Sequence, residues 1–206
     1  MQFEYGGAYK TYPVEDYTFP DGSRLAVHSL LDGTPEWMQD ANLLFADPPW
    51  NEGNLRAFYT KNGQDLPVTY TAFLDALVST IRDISPRVAY VEIGKQHLAD
   101  VIMGMRVLYP KVTFYNSTYY RNPENICYVV RGSMDGRRAP KLDGLDEEDI
   151  IKWVCENEDY DCIADPCIGQ GLVALYASRA GKKFVGTDIN AKRLAVARKR
   201  VETKKK

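Results

Sequence analysis

The chain has 206 residues, 45% of them hydrophobic, with 26 lysines and arginines against 28 aspartates and glutamates for a formal charge of −2. That length sustains one core and leaves little room for a second; with no apolar run near the roughly 18 residues of a membrane helix and no secretion signal at Met1 to Tyr5, a single cytoplasmic domain over residues 1–206 is expected. Cys127, Cys155, Cys162 and Cys167 form no CxxC pair and have only His28 and His97 as histidine partners, so neither zinc nor a disulfide framework is expected and the thiols read as reduced and structural.

Residues 25–31 read as a short strand, and residues 42–46 as a compact apolar strand stopped by Asp47-Pro48-Pro49, where two prolines end any ladder. Residues 51–67, with Gly53, Gly63 and many polar side chains, predict a long loop of the kind that contacts a substrate. Phe73, Leu74, Leu77, Val78 and Ile81 recur at three- and four-residue spacing, which predicts an amphipathic helix over 70–84 ended by Ser85-Pro86. A buried strand over 88–93 and a helix over 96–108 follow. Residues 112–119 and 126–131 predict an antiparallel hairpin turned at Asn122-Pro123-Glu124-Asn125. Leu145, Ile150, Ile151, Val154 and Cys155 share one face of a helix over 143–156. Residues 161–164 form a strand leading into Asp165-Pro166-Cys167, 172–180 a helix closed by Gly181, 184–187 a strand and 191–201 a last helix. Strands alternating with helices give an α/β fold with a mostly parallel sheet.

Charge is unevenly placed. Basic residues gather at Arg131, Arg137, Arg138 and Lys141 and along Lys192, Arg193, Arg198, Lys199, Arg200, Lys204, Lys205 and Lys206, while residues 143–161 are strongly acidic. A phosphate-binding surface and a solvated helix with a frayed lysine tail both account for that distribution.

Two motifs carry chemistry. Asp165-Pro166-Cys167-Ile168-Gly169-Gln170-Gly171 lies between a strand and a helix, and Asp188 stands at the tip of the next strand. Glycines there let backbone approach a ligand, and the acid can accept hydrogen bonds from both ribose hydroxyls of a nucleoside. Gly169, Gly171 and Ala174 also fit the dinucleotide fingerprint, so a nicotinamide cofactor is a competing reading, but the residues after Gly171 are too few for the βαβαβ half which that fingerprint opens. Asp47-Pro48-Pro49-Trp50 stands at the carboxyl end of a predicted strand, the edge where open α/β sheets bind ligands. A capped glycine turn, and a proline-stopped strand with a surface tryptophan, are their purely structural readings.

Asp-Pro-Pro followed by an aromatic residue resembles the catalytic motif of the S-adenosylmethionine-dependent amino-methyltransferases, and Asp-Pro-x-x-Gly-x-Gly resembles their cofactor motif. Because Asp47 precedes Gly169 by more than a hundred residues, the order is similar to that of the permuted, beta class of DNA amino-methyltransferases, adenine-N6 type. The adenosine methyltransferases of messenger RNA share this outline and also carry Trp at the fourth position. The resemblance covers residues 25–201 and is sharp only at the two motifs. It implies an α/β, Rossmann-like methyltransferase fold, with a mostly parallel seven-stranded sheet, an antiparallel hairpin and circularly permuted motif order. The catalytic half would span residues 24–131 and the cofactor half 143–201. Residues 25–31 would supply the strand that is missing after the last helix, putting His28 and Ser29 near the cofactor's adenine.

The resemblance further implies S-adenosylmethionine as cofactor, no metal, and nucleic acid, DNA first, as partner. The Asp47 carboxylate and the Pro48 carbonyl would accept hydrogen bonds from an exocyclic amino group, localising its lone pair toward the sulfonium methyl. Pro48 and Pro49 fix φ and hold that carbonyl rigidly. Trp50 would stack on the flipped base, with Asn51 as a secondary polar contact. Asp165 would support the loop of Pro166, Cys167, Gly169 and Gly171 near the cofactor's methionine, Asp188 would hold the ribose and Ile189 cover the adenine. Asp188 or Asn190 also suits the N-cap of the last helix.

The permuted DNA enzymes usually carry a target-recognition region before the cofactor motif. This chain has residues 132–145 and little more there, and their basic-proline element is reduced to Ala139-Pro140-Lys141. Selectivity would then be low, or lie in residues 51–67 and 1–23, or come from a second copy or partner subunit. RNA adenosine and cytosine N4 are rival targets, because the four-residue motif positions an amino group without identifying its ring. A catalytically silent methyltransferase-like binding subunit is the rival from another class.

Overall fold

The computed structural model describes residues 5–136 and 138–204. Met1 to Glu4, at the front of the stretch considered for selectivity, and Arg137, Lys205 and Lys206 of the two basic runs lie outside the described residues. In chain order the elements are β1 (Asp16–Thr18), β2 (Arg24–Val27), β3 (Leu43–Ala46), α1 (Glu52–Lys61), α2 (Tyr70–Ile84), β4 (Val88–Ile93), α3 (Leu98–Leu108), β5 (Lys111–Tyr119), β6 (Asn122–Ser133), α4 (Glu147–Asn157), β7 (Cys162–Asp165), α5 (Leu172–Arg179), β8 (Lys183–Asp188) and α6 (Ala191–Thr203), with short 3-10 turns between some of them.

The strands form one mixed sheet in the order β1-β2-β8-β7-β3-β4-β6-β5. The run β2, β8, β7, β3, β4 is parallel throughout, and β1, β6 and β5 join antiparallel to their neighbours. Alternation along each strand divides the core into two layers. Phe45, Tyr90, Ile163 and Phe184 face α4, α5 and α6, meeting Ile150, Val154, Val173 and Leu194. Leu44, Val91, Ala164 and Val185 face the other way, into a layer that holds Leu55 of α1, Leu77 and Ile81 of α2 and Met105 of α3. Such two-sided burial is why the central strands are apolar without interruption. Among the described residues no helix is long and apolar enough to cross a membrane.

The expected strand 25–31 pairs beside β8, as its proposed place in the sheet requires, but it is shorter. It ends at Val27, because the Ser29 hydroxyl accepts from the Leu31 amide and starts a 3-10 turn at Leu30–Asp32. The sheet has eight strands where seven were expected, since residues 16–18 fold back on β2 as an extra edge strand.

The expected loop 51–67 is mostly helix. Asn51 caps α1 by accepting from the Asn54 amide at 2.9 Å, Leu55 and Tyr59 anchor one face, and Arg56 pairs with Glu52 at 2.8 Å across one turn. The hairpin turns at Tyr120-Arg121, with φ of 57° and 55°, while residues 122–125 belong to β6. Register passes from Thr118↔Ile126 to Tyr119↔Asn122, so Pro123 lies in an irregularity that needs no ladder bond from it. Residues 143–146 precede α4, because Asp146 is its N-cap.

Candidate active site

The parallel strands place their carboxyl ends along one edge of the sheet. Val27 pairs with Asp188, Asp165 with Gly186, and Ala46 with Val91, so the segments leaving β2, β8, β7, β3 and β4 emerge side by side. Because β3 and β7 are neighbours, Asp47 and the glycine loop meet, although more than a hundred residues separate them in sequence.

Two cavities of about 270 and 240 Å³ open there, sharing Asp47, Tyr119, Cys167 and Arg193 in their walls. Asp47, Pro48, Pro49, Trp50, Pro166, Cys167, Asp188 and Ile189 line the first, and Asp47, Asp165, Cys167, Gly169 and Gly171 the second. Every motif residue singled out from the sequence therefore borders one cavity or the other. His28 also lines the first; Ser29 is turned to its 3-10 cap and to the Tyr59 hydroxyl at 3.4 Å. Asn51 lines neither, its side-chain oxygen being engaged in capping α1.

The Asp47-Pro48-Pro49-Trp50 motif is held from several sides. The Trp50 indole N–H donates to Asp47 Oδ1 at 3.2 Å, and the Tyr70 hydroxyl, from the first turn of α2, donates to the Pro49 carbonyl at 2.7 Å. The Trp50 ring meets Tyr119 edge-on, centroids 5.0 Å apart, and rests on Gly94 so closely that a Cβ there would lie 3.1 Å from its own. Tyr119 leads to Tyr120, 75% exposed at the hairpin tip, with ring centroids 4.1 Å apart. These contacts make an aromatic wall beside Asp47.

In the second motif, Asp165 Oδ1 accepts from the Cys167 amide at 3.0 Å, and the Ile168 amide donates to the Thr187 carbonyl at 2.9 Å, tying the loop to β8. Gly169 and Gly171 take φ of 51° and 79°. The space that their missing side chains leave belongs to α6: a Cβ on Gly171 would strike Ala197, coming within 2.8 Å of its Cα, and one on Gly169 would strike the Arg193 guanidinium. These glycines thus permit close packing of α6 as well as the turn. Asn190 caps α6, accepting from the Lys192 amide at 2.9 Å, while Asp188 braces Asn190 by accepting from its amide at 2.8 Å.

Burial raises the Asp47 carboxyl to about 6, against the opposing Trp50 hydrogen bond and the Arg193 cation. Burial likewise lifts Asp165 well above the carboxylate range, with Cys167 N–H opposing, and raises Asp188, with Arg193 opposing. Arg193 Nη1 lies 3.0 Å from Asp188 Oδ2, and its guanidinium sits 4.6 Å over the Phe58 ring. Among the described residues no three His, Cys, Asp or Glu side chains are grouped to hold a metal. Arg193, Phe58, Tyr59 and Tyr119 are wall residues that the motifs did not announce; the tyrosine pair closing the predicted hairpin strand was the one available signal.

No protein-family model matches the chain, and no curated protein matches it in sequence. Solved structures do match in fold. TTHA0409 of Thermus thermophilus, provisionally described as a DNA modification methylase and solved in complex with S-adenosyl-L-methionine, is 17% identical, with a TM-score of 0.61 over 87% of this chain and 95% of its own. The structure of M1.HpyAVI gives a TM-score of 0.58 at 11% identity, over 86% and 98%. The PvuII DNA methyltransferase, cytosine-N4-specific, gives 0.55 at 11% identity, over 84% and 85%. At these identities the likeness is one of fold: the chain shares the mixed α/β architecture of these methylases.

Proposed function

We propose that the chain transfers the methyl group of S-adenosylmethionine to the exocyclic amino group of a nucleobase, adenine N6 in DNA. The observation that carries this reading is the shared wall of the two cavities, which puts Asp47, an acceptor for an amino group, against the glycine loop. The matching structures include one bound to S-adenosyl-L-methionine and one named as a cytosine-N4 DNA methyltransferase, which supports nucleobase amino chemistry and favours DNA over RNA. The catalytic motif after β3 precedes the glycine loop after β7, in keeping with a permuted, beta-class enzyme. The same reading makes residues 1–206 one cytoplasmic methyltransferase domain without a separate recognition unit, its target chosen by the cavity mouth or by a second copy or partner subunit.

The residues present suit the cofactor. His28, Leu30, Phe58 and Ile189 give the first cavity the flat, mostly apolar walls an adenine needs, with the Asp188 carboxylate for the ribose hydroxyls. Asp165, Arg193 and Arg200 give the second cavity both signs of charge for an amino-acid end. Burial pushes Asp47, Asp165 and Asp188 toward their neutral forms, and a cation beside them favours the anions again.

When bound, the cofactor supplies an electrophilic methyl on a sulfonium. Asp47 and the Pro48 carbonyl accept hydrogen bonds from the amino group, so that its lone pair points at that methyl; the prolines and the Tyr70 hydroxyl on Pro49 fix the acceptors in place. Trp50 and Tyr119 offer ring surface to a flipped base and offset its unstacking. The nitrogen gives up one proton as it gains the methyl, and Asp47, titrating near 6, is the acceptor at hand. The test is transfer of labelled methyl to duplex DNA, single-stranded DNA and RNA, followed by nucleoside mass spectrometry. N6-methyladenine from DNA is expected, with Asp47→Ala inactive and cofactor affinity nearly unchanged. Full activity of the variant would remove Asp47 from the mechanism, and N4-methylcytosine would reassign the base.

A further inference from the structure

Arg193 stands where the two cavities join, and its surroundings exceed what a counterion for Asp188 requires. The guanidinium presents a planar fork of donors whose terminal nitrogens point in different directions. Nη1 takes the Asp188 carboxylate at 3.0 Å, whereas Nη2 lies over Gly169, where even a methyl group would collide with it. One arm therefore serves the acid of the first cavity and the other faces the loop of the second. The group is fixed by position as well as by charge: its Cζ sits over the Phe58 ring of α1, 4.6 Å from the centroid, and α6 carries it one turn past the Asn190 cap. Arg200, the other cation of the second cavity, donates through Nη1 to the Gln170 carbonyl at 2.9 Å and does not line the first cavity.

Resting on the cofactor reading above, we propose that Arg193 is a specificity-determining residue that receives the α-carboxylate of the cofactor's methionine while keeping its pair with Asp188. The amino-acid end of the cofactor is a zwitterion. Asp165 of the second cavity suits its ammonium, and Arg193, the cation common to both cavities, suits its carboxylate. A guanidinium binding a carboxylate makes a charge-assisted, often bidentate contact, which an amide cannot reproduce. The enzyme then distinguishes the intact cofactor from adenosine thioethers that lack the amino acid.

Calorimetric titration of the wild-type chain, Arg193→Gln and Arg193→Lys with S-adenosylhomocysteine and with 5′-methylthioadenosine separates the possibilities. The second compound keeps the adenosine and the thioether and lacks the amino-acid end. Arg193→Gln is expected to weaken S-adenosylhomocysteine by roughly tenfold to a hundredfold and methylthioadenosine by less than about threefold, with Arg193→Lys recovering part of the loss. Retained methylthioadenosine binding also shows that the variant is folded. Equal losses for both ligands would make Arg193 a support for Asp188 alone and overturn the proposal, as would no loss for either. A wild-type chain that binds neither compound would overturn the cofactor reading itself.

Discussion

Gly171 offers a measurement in which backbone strain and side-chain collision can be told apart. It holds φ at 79°, and a Cβ there would meet the Ala197 side chain and lie 2.8 Å from the Ala197 Cα on α6. Gly171→Ala therefore carries two penalties: about 1–2 kcal/mol for an L-residue in the left-handed region and about 1–3 kcal/mol for overpacking against a helix backbone. The sum is about 2–5 kcal/mol. Gly181 is the internal standard, because it has φ of 70° and, among the described residues, nothing within 4 Å of its would-be Cβ. Gly181→Ala should cost the strain alone, about 1–2 kcal/mol. Urea unfolding followed by circular dichroism gives both values, provided the slope with denaturant is unchanged. In Gly171→Ala/Ala197→Gly, the collision with the Ala197 side chain is relieved and that with its Cα is not, so part of the excess should return as a coupling energy. Equal costs at Gly171 and Gly181, or additivity in the double variant, would refute the claim that α6 contact is what demands glycine in this loop.

On the proposed mechanism, Asp47 links pH to both stability and turnover. Its folded-state titration near 6 lies above that of an unfolded carboxyl, so its contribution to stability is complete below about pH 4 and is lost as pH rises through 6. Asp47→Asn should therefore be inactive yet more stable than the parent at pH 7.5, by about 1–3 kcal/mol, with the gap closing below pH 4; a gap that is the same at both pH values would contradict the burial argument. In the parent, turnover should fall on the acid side with a midpoint near 6 as Asp47 takes up a proton. Gly94→Ala should displace Trp50, lowering methyl transfer while leaving S-adenosylhomocysteine binding within about twofold, so a parallel loss of binding would count against separate wall functions. Glu92 of β4 is 0% exposed, and among the described residues its carboxyl oxygens have no hydrogen-bond partner beyond a weak contact with the Cys127 thiol. Glu92→Met should raise the stability measured by urea unfolding by about 1–3 kcal/mol, and a loss of stability would mean that the carboxyl is satisfied after all.

What the sequence disclosed follows from where its punctuation is strong. Prolines after β3 and glycines after β7 are local requirements of the turns themselves, so both motifs were legible, and their adjacency followed once β3 and β7 were taken as neighbours. The helix α2 was legible because seven of its residues are buried at helical spacing. By contrast, α1 buries only Leu55 and Tyr59, and its remaining stability comes from a cap and an ion pair, which leave no apolar stripe. The hairpin tip was misplaced for a tertiary reason. Tyr120 and Arg121 occupy left-handed conformations without glycine or asparagine, because the Arg121 amide donates to Asp146 at 2.6 Å and the Tyr120 amide to Glu147 at 3.2 Å, both carboxylates coming from the start of α4. Arg193 was hidden for a similar reason: a charged residue on the final helix reads as solvated, and only the fold turns it toward the cavities.

The helix after Trp50 is moored at both ends. Asn51 caps it beside Asp47-Pro48-Pro49-Trp50, and at its far end the Asn62 side chain donates to the Ile189 carbonyl at 2.9 Å, on the rim where β8 ends. A roof beam resting on two walls transmits load between them. A proline placed mid-span would loosen the Asp47–Trp50 wall and the Ile189 rim together, whereas a cut at either mooring would free one wall and leave the other standing.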